Sequence, residues 1–106
     1  CSNLTELILG NFDTKNVKVM NRMFYDCGNL IELDLSNFVT SNITNMESMF
    51  VNCKSMTKLN ISNFDTSNVT NMNRMFLNCN NLEELDLSSF YTGNVIDMRR
   101  YVPRLF

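Results

Sequence analysis

Cys27-Gly28-Asn29-Leu30-Ile31-Glu32-Leu33-Asp34-Leu35-Ser36-Asn37-Phe38-Val39-Thr40-Ser41-Asn42-Ile43-Thr44-Asn45-Met46-Glu47-Ser48-Met49-Phe50-Val51-Asn52 is the stretch on which the fold turns. Its first part alternates apolar and polar residues around Leu33 and Leu35, the period of two that marks a half-buried strand. Its last part places Met46, Met49, Phe50 and then Cys53 at i, i+3, i+4 and i+7, the spacing of one apolar helix face. Asn45 precedes that run as a candidate N-cap. Gly28 follows the equivalent earlier run and suits a helix C-cap. Between the two parts, Phe38 and Ile43 are expected to point inward. The segment predicts a strand, an irregular turn and a short helix.

Working outward, the same reading recurs every 26 residues: Cys1, Cys27, Cys53 and Cys79; Phe12, Phe38, Phe64 and Phe90; Thr14, Thr40, Thr66 and Thr92; Met20, Met46, Met72 and Met98. The chain is one unit written four times, as copies 1–26, 27–52, 53–78 and 79–104, and such a period indicates an array. Equivalent strands are expected at Thr5 to Leu9, Thr57 to Ile61 and Glu83 to Leu87. Successive strands are too far apart for tight hairpins, so stacked copies give a parallel sheet. Helical runs are expected at Met20, Met23, Phe24 and Cys27 and at Met72, Met75, Phe76 and Cys79, with Asn71 and Asp97 as further N-caps. The last copy is degenerate: Tyr101 and Val102 replace Met and Phe, Pro103 interrupts the run, and Arg99, Arg100 and Arg104 cluster there. Residues 1–106 read as a single repeat array and as a segment of a longer protein.

Composition narrows the function. Net charge is −2 with both signs scattered, so no basic footprint for nucleic acid appears. Histidine is absent, which removes the commonest general base and metal ligand. No catalytic constellation, cofactor motif or metal-ligand spacing stands out, and no apolar run reaches the ~18 residues of a membrane span. The expectation is a protein that is not an enzyme and carries no cofactor or metal. Stacked rungs ~4.7–4.9 Å apart hold Cβ atoms farther apart than the ~3.8 Å of a disulfide. The cysteine column therefore reads as buried free thiols, with disulfides or a metal as the alternatives. The methionines read as core.

Two polar sets remain. Asn16, Asn42, Asn68 and Asn94 are expected to form a structural ladder whose amides satisfy turn backbone groups from one copy to the next. The outward strand positions Glu6, Glu32, Lys58 and Glu84, beside Asp34, Asn60 and Asp86, form the candidate binding face. Glu32 and Asp34 do not read as a glycosidase pair, because the repeat itself places acids there and implies no enclosed cleft.

The pattern L-x-E-L-D-L-S-N-F-x-T-S-N-x-T-N-M-x-x-M-F-x-x-C resembles the bacterial surface protein 26-residue repeat, the BspA-like leucine-rich repeat family. Asp65-Thr66-Ser67-Asn68-Val69-Thr70-Asn71-Met72 with Met75, Phe76 and Cys79 carries the likeness most closely, and it extends from Cys1 to about Met98. Phe12, Phe38, Phe64 and Phe90 stand where that family commonly has Trp. The expected fold is an α/β, leucine-rich-repeat-like solenoid of four repeats, with a parallel sheet on one face and short helices or helical turns opposite. The resemblance implies a secreted or cell-surface location and a role in adhesion or protein–protein contact, with a protein or glycan ligand. The alternative is a structural spacer that displays another domain at the surface.

Overall fold

The computed structural model describes residues 5–7, 13–91 and 93. Four short strands appear in chain order: β1 (Glu6–Leu7), β2 (Glu32–Asp34), β3 (Lys58–Asn60) and β4 (Glu84–Leu85). They form one parallel sheet in the order β1-β2-β3-β4. Glu6 is level with Glu32, Glu32 with Lys58 and Lys58 with Glu84, so the 26-residue repeat is also the sheet register. Each copy thus contributes one rung. Leu33 and Leu59 turn into the core, while their neighbours on either side stay exposed.

The helices expected opposite the sheet are not formed. Among the described residues there is no helix, and the strands are two or three residues long. The α/β, leucine-rich-repeat-like solenoid with helices is therefore corrected to a turn-dominated β domain. Its radius of gyration of 12.6 Å and extents of 33 × 30 × 21 Å are those of a small globule, close to the ~13 Å expected for a chain of this length.

The hydrogen bonds explain the correction. The N–H groups of Met20, Arg22, Phe24 and Asp26 donate to the carbonyls of Asn45, Glu47, Met49 and Val51 on the next rung, at 3.0, 2.9, 2.9 and 2.8 Å. Met46, Ser48, Phe50 and Asn52 do the same to Asn71, Asn73, Met75 and Leu77. The intervening N–H groups of Met23, Tyr25 and Cys27 close tight turns onto Met20, Arg22 and Phe24. An α-helix needs its N–H groups for bonds within the segment, and here every second one is spent between rungs. It also needs negative φ throughout. Arg22, Asp26, Ser48, Asn52, Arg74 and Asn78 instead take φ between 56° and 64°.

This ribbon of overlapping turns still buries the positions a helix face would bury. Met46, Met49, Phe50 and Cys53 are fully enclosed. They join Leu33, Leu35, Phe38 and Ile43, with Leu59, Ile61, Phe64 and Val69 of the next copy, in one core. Phe24, Phe50 and Phe76 stack with ring centroids 5.7 Å apart at each step. Asn45 and Asn71, expected as helix N-caps, each accept the N–H two residues on, from Glu47 and Asn73. That is an Asx turn, which starts the ribbon without starting a helix. No described glycine has positive φ, so Gly28 is not a left-handed cap. Asp97 and the degenerate end from Arg99 lie outside the described residues.

Candidate functional site: the polar sheet face

β2 and β3 alternate outward and inward, which places Glu32, Asp34, Lys58 and Asn60 together on the exposed face, with Asp86 following β4. Glu6 and Glu84 occupy the matching register positions in β1 and β4. Lys58 Nζ lies 3.8 Å from Glu32 Oε1, and both side chains are more than half exposed. Such a pair contributes little to stability. Its effect is to break the acidic column with one positive charge.

The second column has a structural duty that its outward direction conceals. Asp34 Oδ1 accepts the Ser36 N–H at 2.9 Å, and Asp86 Oδ1 accepts the Ser88 N–H at 2.9 Å. Asn60 Oδ1 accepts both the N–H and the hydroxyl of Ser62. Each residue therefore turns the chain out of its strand. The side-chain and main-chain hydrogen bonds from Ser36 hold the Asp34 carboxyl below its ordinary pKa, with a further contribution from Asn60. Ser88 does the same for Asp86. These carboxylates are exposed and ionised, but one oxygen of each is already engaged.

On the opposite corner, Asn42 Nδ2 donates to Lys15 O at 2.9 Å, and Asn68 Nδ2 donates to Ser41 O at 2.7 Å. Each amide thus spans two rungs. Asn16 is exposed, and Asn94 lies outside the described residues.

Three further columns run between the copies, and the first two carry roles that the sequence reading leaves unassigned. Buried Thr14, Thr40 and Thr66 each exchange two hydrogen bonds with the next rung, through Val39, Asp65 and Tyr91. Their 26-residue recurrence was the available signal. Asn78 donates to Asn52, and Asn52 to Asp26, through side chains on residues with positive φ. Asn and Asp tolerate that backbone better than other residues with a Cβ. The third column is the cysteines. Cys53 and Cys79 are free thiols, whereas Cys27 is disulfide-bonded to a partner outside the described residues. The free-thiol reading thus holds at Cys53 and Cys79 and gives way at Cys27 to the disulfide alternative.

Among the described residues no group of three or more His, Cys, Asp or Glu side chains could hold a metal ion. The described residues contain no helix long and apolar enough to cross a membrane. The face presents exposed charges and amides that repeat along the sheet.

A family model described as "Mycoplasma protein of unknown function, DUF285" matches residues 1–104. The chain belongs to that family. The match takes in all four copies of the repeat. No curated protein and no solved structure matches the chain.

Proposed function

We propose that this family member is a non-enzymatic repeat module for protein–protein interaction or host adhesion, secreted or held at the cell surface, and that it engages a protein or glycan through its sheet face. The observation that carries the reading is the in-register exposure of Glu32 and Lys58 beside Asp34, Asn60 and Asp86. Identical spacing from rung to rung presents a partner with a repeated pattern, and repeat arrays commonly bind through such a surface. The resemblance of the repeat to the BspA-like bacterial surface repeat supports the extracellular setting. Neither nucleic acid nor a cofactor enters this proposal.

One observation favours a second reading, the structural spacer. Asp34, Asn60 and Asp86 are engaged in the turns that end their strands, so their recurrence has a sufficient architectural cause. The two readings separate on a charge test that spares the turns. Asp34→Asn and Asp86→Asn keep the accepting oxygen, as Asn60 does naturally, and remove the charge. Glu32→Lys reverses a charge outside the turns. A combined variant that folds and loses retention on a ligand-coated surface supports docking at this face. Equal retention of variant and wild type moves the contact elsewhere, and retention of neither supports the spacer.

A further inference from the structure

We propose that Cys53 and Cys79 are a redox-active dithiol whose oxidation to a Cys53–Cys79 disulfide staples the third copy of the repeat to the fourth. The two residues stand one 26-residue step apart, the same step that sets the sheet register. Cys53 Sγ donates to Phe24 O at 3.2 Å, and Cys79 Sγ donates to Phe50 O at 2.9 Å. Each thiol is therefore aimed back over the preceding rung, which directs Cys79 toward the rung that carries Cys53. Adjacent rungs at ~4.7–4.9 Å fall within the ~4.4–6.8 Å between Cα atoms that disulfides span, so closure needs only a small approach of the Cβ atoms toward ~3.8 Å. Cys27, in the same column, is already disulfide-bonded.

The two thiols differ in a way that divides the labour. Cys53 is fully buried and Cys79 only partly. Interaction with the neighbouring Cys53 side chain lowers the Cys79 pKa. The reciprocal contact with Cys79, together with burial, raises the pKa of the Cys53 thiol. The thiolate is the attacking species in exchange, so Cys79 reacts first and Cys53 resolves.

With a small disulfide such as oxidised glutathione as oxidant, the Cys79 thiolate attacks one sulfur and the glutathione S–S bond breaks. One glutathione thiolate leaves, and Cys79 carries the mixed disulfide. Cys53 then gives up its proton to the departing thiolate, and its sulfur attacks Cys79 Sγ. The second glutathione is released. Two protein thiols are oxidised and one small disulfide is reduced to two thiols.

The test is non-reducing peptide mapping of the full chain before and after exposure to oxidised glutathione, with iodoacetamide as the trap. Before oxidation, unfolding should expose Cys53 and Cys79 to alkylation. After it, a peptide linking those two cysteines should replace both alkylated forms, and the thermal midpoint should rise. Cys53→Ser should stop at the Cys79–glutathione adduct. Cys79→Ser should be glutathionylated more slowly than that. The proposal is overturned if both thiols remain alkylatable in the oxidised wild type, if the new link joins Cys53 to Cys27, or if Cys79→Ser acquires an adduct as fast as Cys53→Ser. The wild-type map decides the pairing whether or not either variant folds.

Discussion

The hydroxyl of Thr40 accepts the N–H of Asp65 at 2.8 Å and donates to the carbonyl of the same residue at 3.1 Å. Thr14 with Val39 and Thr66 with Tyr91 repeat the exchange. At this corner the main chains of adjacent rungs do not pair directly. One buried hydroxyl supplies both the acceptor and the donor that a neighbouring strand would have supplied.

Thr40→Val should therefore cost more than its small change in shape suggests. It leaves a main-chain donor and an acceptor without their partner, and each such group costs ~1–3 kcal/mol when kept from water. A loss of about 2–3 kcal/mol is expected from urea unfolding. Thr70→Val, whose exposed hydroxyl makes only a 3.3 Å bond to Thr44 O, should lose less than ~1 kcal/mol. Equal midpoints for the two variants would remove the threonine column from the account.

Phe64 is fully buried and stacks on Phe90 with ring centroids 6.4 Å apart. Phe64→Ala should destabilise the domain by roughly 3–5 kcal/mol, the usual cost of truncating an enclosed Phe. An unchanged thermal midpoint would show that the ring is not part of the core.

Arg74 distinguishes the turn ribbon from the helix that its sequence spacing suggests. In a helix, Arg74→Gly would cost ~1 kcal/mol. At φ 59° the left-handed backbone already costs a residue with a Cβ ~1–2 kcal/mol, which glycine avoids. Arg74→Gly should be neutral or stabilising by up to ~1 kcal/mol in chemical denaturation. A clear loss of stability would restore the helix.

The sequence reading went astray in that same segment, and the reason is physical. Met46, Met49, Phe50 and Cys53 are buried at helical spacing, so their pattern records which residues face the core. It does not record where the backbone N–H groups go. A ribbon of turns with left-handed residues at Ser48 and Asn52 satisfies the same spacing. The strand pattern around Leu33 and Leu35 was legible because a period of two has few other sources, although β2 covers only Glu32–Asp34. The outward direction of Asp34 was legible too. Its bond to Ser36 N leaves no trace in that pattern, since period-two alternation speaks only to direction. The pairing of Cys27 is a covalent fact that repeat spacing leaves open.

Asp34, Asp65 and Asp86 make the domain sensitive to acid. Hydrogen bonds from the side chains and main chains of Ser36, Ser67 and Ser88 lower their pKa values in the folded state. Groups with depressed folded pKa stabilise fully above the unfolded value, ~3.9 for Asp, and that contribution is lost as pH falls through the folded pKa. The thermal midpoint should be flat from neutral pH to about pH 5 and decline below about pH 4. Asp34→Asn, Asp65→Asn and Asp86→Asn together should shallow that decline. A wild-type midpoint that rises on acidification would contradict the assignment.

The most direct test of the central claim is retention of the folded chain on surfaces coated with extracellular-matrix proteins or mucin, read beside the Glu32→Lys, Asp34→Asn, Asp86→Asn variant. Circular dichroism confirms that both are folded. Docking through the sheet face predicts that wild type is retained and the variant is not, because reversing or removing rim charges alters steering and partner choice. Equal retention of the two proteins, or retention of neither, would contradict it.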